Sequence, residues 1–267
     1  MHWSLRKPSR SDRSALIREL QAPPSWRRLV FISDLHLGPD TPATFAALRA
    51  ALRTLEADAL FILGDLCEAW VGDDAMALPW AQALVAELSA AAAVRPVYFQ
   101  HGNRDFLLGP AMAAASGMAL LDDVVRLHAF GETVVLVHGD AQCLDDLAYQ
   151  AFRAEVRQPR WQQAFLARPL DQRLQLATQM RDASRQAQSD LHATPGDYGD
   201  LDPGTCQALL DGAGARTLLH GHTHRPGRSA LPNGERLVLS DWDFDHGGTR
   251  GEWLVLSAAG WLRQALA

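Results

Sequence analysis

The sequence predicts an α/β fold, a largely parallel sheet covered by helices, and three observations point to it. Five apolar runs of strand length punctuate the chain, and stretches with helical spacing separate the early ones. Each run ends in polar residues of ligand-binding type, where open parallel sheets place their sites.

Taken in order, Leu29-Val30-Phe31-Ile32 is apolar throughout and leads into Ser33-Asp34-Leu35-His36, the pattern of a buried strand. Thr41-Pro42 then offers a helix cap and first-turn pair, with Phe45, Leu48, Leu52 and Leu55 at spacings of three and four. Leu60-Phe61-Ile62-Leu63 leads into Gly64-Asp65, and Trp80, Leu84 and Leu88 repeat the helical spacing. Val97-Tyr98-Phe99 leads into His101-Gly102-Asn103, and Val134-Val135-Leu136-Val137 into His138-Gly139-Asp140. Thr217-Leu218-Leu219 leads into His220-Gly221-His222-Thr223-His224. Leu237-Val238-Leu239 and Trp253-Leu254-Val255-Leu256 are expected as antiparallel additions completing a second sheet. The acidic segment 241–246 between them is expected as a surface loop near the site.

A length of 267 residues, 48% of them hydrophobic, suits one large domain or a domain with an insertion. No run of 18 apolar residues is present, so no membrane-spanning helix is expected. Cys67, Cys143 and Cys206 lack CxxC spacing, which fits a reducing compartment rather than a disulfide framework. The net charge of -6 is uneven: residues 1–28 carry +5 and residues 153–185 carry +4. Carboxylates are therefore concentrated elsewhere, as a cation-binding site requires. Residues 1–28 lack the apolar core of a secretory signal and are expected as a basic arm, or as the product of a start assigned too far upstream, with the domain covering 29–267. With the basic residues on arm and insertion rather than along the cleft, no nucleic-acid partner is expected; no obligate protein partner is evident.

The strand-end residues share one chemistry. In extended backbone, residues two apart face the same side, so Asp34-x-His36 and His222-x-His224 each present two donors together. Asp65, Asn103 and His138 each add a donor from another strand end. Seven donors of mixed oxygen and nitrogen character exceed one tetrahedral zinc and suit two divalent ions sharing a carboxylate. The absence of thiolate and the inclusion of an amide favour Mn2+. Each fragment alone has a bland reading, such as a helix cap, but five in order at strand ends do not.

The order Asp34-x-His36, Gly64-Asp65, Gly102-Asn103, His138, Gly221-His222-x-His224 resembles the calcineurin-like metallophosphoesterases over about residues 29–260. The resemblance implies a four-layer αββα sandwich holding two metal ions. Asp34, His36 and His224 would hold one, Asn103, His138 and His222 the other, and Asp65 would bridge them. In that family a histidine usually follows the asparagine, near the leaving group; here Arg104 does. A leaving phosphate monoester is weakly basic and needs no proton donor, whereas arginine offers a planar fork to phosphate oxygens. The exchange points to a pyrophosphate bond; the alternative is that Arg104 pairs with Asp105.

The segments "GDLCEAWVGDD", "HGNRDFLLG", "HGDAQCLDDLAYQAFR" and "HGHTHRP" are similar to the UDP-2,3-diacylglucosamine diphosphatase family of lipid A biosynthesis. That resemblance implies hydrolysis of UDP-2,3-diacylglucosamine at the α-phosphorus, giving UMP and 2,3-diacylglucosamine 1-phosphate, with Asp65, Asn103, Arg104, His138 and His222 as the catalytic set. Asn103, Arg104, His222, Asp146, Ser184 and Gln188 would contact substrate; the family's following lysine is absent, its place taken by Leu191 and His192. Asp140 is expected to orient ligands or the attacking water.

Eighty-three residues separate His138 from His222, more than a crossover needs. Tyr149, Phe152 and Val156 mark one helical face, Trp161, Phe165 and Leu166 another, and Pro169 opens a third helix. The expectation is a helical insertion over about 145–195 with its own core that also serves as a lid for acyl chains. Seven arginines at 153–185 would favour an anionic membrane surface, making the protein peripheral on the cytoplasmic face of the inner membrane. A general phosphodiesterase or phosphomonoesterase on the same fold, and a metal-free binding module, are the rival readings; the module would be expected to have lost ligands, and none is lost.

Overall fold

The computed structural model describes residues 17–191 and 199–266, with the side chains of 183–191 outside the description. The strands are β1 (Arg18–Gln21), β2 (Arg28–Ile32), β3 (Ala59–Leu63), β4 (Val97–Gln100), β5 (Ala119–Leu120), β6 (Val125–Ala129) and β7 (Glu132–Leu136). They continue with β8 (Thr217–His220), β9 (Gly227–Leu231), β10 (Gly234–Val238), β11 (Glu252–Ser257) and β12 (Gly260–Ala265). The helices are α1 (Pro42–Thr54), α2 (Pro79–Ala92), α3 (Pro110–Ser116), α4 (Leu147–Val156), α5 (Pro159–Leu166), α6 (Leu170–Leu191) and α7 (Pro203–Ala213).

One sheet has the order β12-β11-β2-β3-β4-β5 and the other β1-β6-β7-β8-β10-β9. Strand alternation explains how they stack. Leu29 and Phe31 of β2, with Phe61 and Leu63 of β3, join Leu127, Leu136, Leu219 and Leu237 of the second sheet in one core. Val30, Ile32, Leu60 and Ile62 face the other way, onto Leu48 and Leu52 of α1 and Leu84 and Leu88 of α2. Val135 and Leu218 bury the outer face of the second sheet under Cys206 and Leu210 of α7. The result is four layers, αββα. Strands buried on both faces carry unbroken apolar runs, and each such side chain contributes roughly 1.5–3 kcal/mol.

The sheets depart from expectation in two ways. Leu237–Leu239 and Trp253–Leu256 do not complete one sheet together: β10 pairs parallel with β8, whereas β11 pairs antiparallel with β2 in the other sheet. Nor does the fold begin at residue 29. β1 lies within the expected basic arm and pairs parallel with β6, Leu20 opposite Leu127. Leu20 and Trp26 pack on the inter-sheet core, and the arginines around them had masked the strand. Residues 1–16 lie outside the described residues.

The acidic segment is structural in part. Thr41 makes no side-chain cap to α1. Instead the Asp245 carboxylate accepts the Ala43 and Thr44 N–H groups at 2.9 and 2.8 Å, supplying the cap from 200 residues away. The insertion forms α4, α5 and α6, and among the described residues its buried Phe165 joins the α1–α2 core rather than a core of the insertion's own. Trp161, Leu170, Leu174 and Ala177 pack against the α1–α2 core, and Arg173 of α6 is buried against the Val71 carbonyl and Asp74.

Candidate metal centre

The loops leaving β2, β3, β4, β7 and β8 meet at one end of the sandwich. The carbonyl of Asp65 accepts the N–H groups of Leu35 and His36 at 2.9 and 3.0 Å, and the Asp34 carboxylate accepts the His222 N–H at 2.9 Å. Approach is so close that only glycine fits at two positions. A Cβ on Gly102 would strike the Asp65 carboxylate, and one on Gly221 would strike Asp34 and Ser33. Asp34, His36, Asp65, His222 and His224 all have left-handed φ, between 50° and 66°, and among the described residues only Phe130 of the other non-glycines does. Such conformations cost of order 1–3 kcal/mol each and collect where a site dictates geometry.

The side chains form two clusters. Asp34, His36 and His224 make one, and Asp65, His138 and His222 the other, with one ligand atom per residue lying within 4.8 Å of its partners. His36 Nε2 is 3.2 Å from His224 Nε2. Asn103 Oδ1 sits 3.0 Å from both His138 Nε2 and His222 Nδ1, which adds it to the second cluster. Asp65 lies between them, Oδ1 3.7 Å from His138 Nε2 and Oδ2 3.9 Å from His36 Nε2. All seven donors read from the sequence are thus brought together.

Electrostatics bind the clusters. Burial alone would raise the Asp34 carboxyl, but the imidazoles of His224, His138 and His36 outweigh it and hold the group well below the usual carboxylate range. Burial would lower His138, but Asp65, Asp34 and Asp140 raise it to about 9. His222 falls to about 4, through burial and the neighbouring His138.

Residues 27–226 match the calcineurin-like phosphoesterase family. The chain is a calcineurin-like phosphoesterase. Among its relatives are several that bear the name UDP-2,3-diacylglucosamine hydrolase. That of Bordetella pertussis is 45% identical over 85% of this chain and 91% of its own. That of Ralstonia nicotianae is 47% identical over 85% and 88%, and that of Stenotrophomonas maltophilia 41% identical over 89% and 98%. An archaeal phosphodiesterase structure covers 90% of this chain and 99% of its own, at 9% identity and TM-score 0.48.

The phosphoesterase has a donor set that fits the divalent ions its family implies. Three carboxylate or amide residues and four imidazoles converge without thiolate, and paired imidazole nitrogens at 3.2 Å suit a shared cation better than each other.

Other expected residues fall variously. Arg104 does not pair with Asp105, whose carboxylate is taken by the N–H groups of Leu66 at 2.7 Å and Gly102 at 2.9 Å. The Arg104 Nε is buried and donates to no acceptor among the described residues. Asp146 is exposed and caps α4 through the Tyr149 N–H at 2.9 Å. Ser184 and Gln188 belong to α6, but their side chains lie outside the described residues, as does His192. Asp140 is engaged by the insertion, accepting from Tyr149 Oη at 2.5 Å and Arg153 Nε at 2.8 Å.

The sequence reading missed Glu68, Asp105 and Asp241. Glu68 Oε2 is 2.9 Å from His36 Nδ1, and Asp241 Oδ2 is 3.5 Å from His224 Nδ1. Nothing in local spacing marks them; the three-residue step from Asp65 to Glu68 acquires meaning only when Cys67 bridges to Leu37.

Proposed function

We propose that this phosphoesterase hydrolyses the pyrophosphate bond of UDP-2,3-diacylglucosamine at the α-phosphorus, giving UMP and 2,3-diacylglucosamine 1-phosphate. The observation that carries this reading is the buried Nε of Arg104, which donates to no acceptor among the described residues, beside seven converging donors. The names of relatives above 40% identical support the same substrate.

Asp34, His36 and His224 would hold one ion, Asn103, His138 and His222 the second, and Asp65 both; Mn2+ is the ion proposed. When bound, the pair lowers the pKa of water and neutralises charge on phosphoryl oxygens. The Asp65 carboxylate is kept in place by the Arg104 N–H, which donates to its Oδ1 at 2.9 Å. The same residue's guanidinium offers its fork to a phosphate oxygen, where developing charge is stabilised by a donor already aimed. The leaving phosphate monoester departs without a proton donor, consistent with arginine in place of histidine at 104.

The insertion serves as the lid in this reading. Leu144, Leu147, Phe152, Leu166 and Met180 are exposed apolar side chains on or beside its helices, and acyl chains would be sheltered by such groups at about 0.8 kcal/mol per methylene. Four of its seven arginines, Arg153, Arg157, Arg173 and Arg181, are engaged inward with Asp123, Asp140, Asp74 and Glu68. Peripheral attachment to the inner membrane is therefore proposed to rest on the apolar set, with Arg160 and Arg168 assisting. No helix among the described residues is long and apolar enough to cross a membrane.

The decisive experiment is UMP release from synthetic UDP-2,3-diacylglucosamine, with Mn2+ and with chelator, in oxygen-18 water. Metal-dependent release with label in UMP is expected. Label in the sugar phosphate would overturn attack at the α-phosphorus, and cleavage of aryl phosphodiesters alone would overturn the substrate.

A further inference from the structure

The two imidazoles of the first cluster are braced alike. His36 turns Nε2 toward the site and Nδ1 toward Glu68 Oε2, 2.9 Å away. His224 turns Nε2 toward the site and Nδ1 toward Asp241 Oδ2 at 3.5 Å. An arginine stands behind each carboxylate: Arg181 Nε is 2.5 Å from Glu68 Oε1, and Arg250 Nη2 is 2.5 Å from Asp241 Oδ2. His138 differs, its Nδ1 held by the Leu63 carbonyl at 2.8 Å.

The arginines come from different parts of the molecule. Arg250 belongs to the loop before β11, within the sandwich. Arg181 belongs to α6, the last helix of the insertion. Glu68 itself cannot drift, because its N–H donates to the Leu37 carbonyl at 2.9 Å and Leu37 donates to Leu66 at 2.9 Å. The chain Arg181–Glu68–His36 thus runs from the insertion to a candidate ligand in two contacts.

We propose that Glu68 is a positioning residue for His36, and that Arg181 couples the seating of α6 to the affinity of the Asp34–His36–His224 site for its ion. The proposal rests on the two-ion reading of the site. A carboxylate at Nδ1 holds the proton there, leaves the Nε2 lone pair for the ion and orients the ring. Arg181 holds Glu68 in the rotamer that does this. By linkage, an ion in the first site favours the seated helix, and a ligand that seats the helix tightens the ion. Arg173, anchored separately on Val71 and Asp74, keeps α6 in place when Arg181 is removed.

The test uses the full chain stripped by chelator, titrated with Mn2+ by calorimetry, with amide exchange of α6 followed with and without Mn2+. Circular dichroism checks that each variant is folded. Wild type is expected to bind two ions and to gain protection in α6 on binding. Glu68→Ala should weaken one ion about 10- to 100-fold and spare the other, with Glu68→Gln milder because it keeps an acceptor for Nδ1. Arg181→Ala should weaken the same ion about 5-fold or more and abolish the gain in protection, and Arg181→Lys should restore part of both. Arg250→Ala should weaken an ion without altering α6. Unchanged affinity for both ions in Glu68→Ala and Glu68→Gln would overturn the positioning role, and α6 protection indifferent to Mn2+ in wild type would overturn the coupling. Fewer than two ions bound to wild type would overturn the metal reading and this proposal together.

Discussion

His138 Nδ1 lies 2.8 Å from the main-chain carbonyl of Leu63, a residue 75 positions earlier in the chain. A carbonyl only accepts, so Nδ1 carries the proton and Nε2 faces Asn103 and Asp65. The strand end of β3 thereby sets the tautomer of a ligand on the loop after β7.

That geometry has a pH consequence. In the metal-free protein His138 titrates at about 9, because Asp65, Asp34 and Asp140 overcome the effect of burial. Its imidazolium must lose a proton before Nε2 can take an ion. Mn2+ binding at pH 7.5 should therefore release protons, and affinity should rise up to about pH 9; calorimetry in buffers of different ionisation enthalpy reads both. The folded value is raised above the ordinary 6.5, so the group stabilises the metal-free fold fully below 6.5 and loses that contribution through 9. Melting of chelator-treated protein should fall across that window, and binding that is indifferent to pH would contradict the assignment.

Asp65→Ala and His138→Ala should each lose nearly all turnover. The two differ in metal content. His138→Ala should lose chiefly the ion of the second cluster, whereas Asp65→Ala should weaken both, since Asp65 lies between the clusters. Metal analysis after desalting distinguishes them, and two tightly held ions in Asp65→Ala would remove its bridging role.

Arg104→Ala should weaken use of the pyrophosphate substrate, with a loss of roughly 10²- to 10³-fold, the scale for removing one donor to developing charge. Metal stoichiometry should stay at the wild-type value. Parallel loss of metal would mean that Arg104 acts through the Asp65 loop rather than on substrate.

Asp105 is fully buried and its carboxylate accepts the Leu66, Gly102 and Cys67 N–H groups. Asp105→Ala strands those donors away from water, each at about 1–3 kcal/mol. A drop of at least about 3 kcal/mol in urea unfolding is expected, with metal affinity falling as the Asp65 and Asn103 loops loosen. Asp105→Asn, which keeps one oxygen acceptor, should fall between.

Association with anionic liposomes at low salt should survive removal of charge at Arg160 and Arg168 in part, and fail when Leu147 and Phe152 become serine. Sedimentation measures this. A wild-type protein that stays in the supernatant would exclude a peripheral membrane role.

The ligand-bearing core was legible in the sequence because of how parallel sheets are built. β2, β3, β4, β7 and β8 are buried, so their residues read as unbroken apolar runs, and the site lies where each run stops. Asp34, His36, Asp65, Asn103, His138, His222 and His224 could be picked out one strand end at a time. Sheet membership was not legible in the same way. An apolar run states that a strand is buried, not which neighbour it pairs with, and so β10 and β11 went to different sheets. β1 was hidden because its stability comes from pairing with β6 and not from its own composition.

Tertiary structure alone decided the environment of the ligands. Glu68 beside His36, Asp241 beside His224, Asp245 capping α1 and Arg181 reaching from α6 are contacts between residues 17 to 201 positions apart, with no periodicity to announce them. Hydrogen bonds and ion pairs depend on a few ångströms and on direction, whereas apolar patterning depends only on which face is buried. The sequence determined the ligand-bearing strands and the donors they carry; packing of the insertion and the C-terminal loop against them decided how each donor is held.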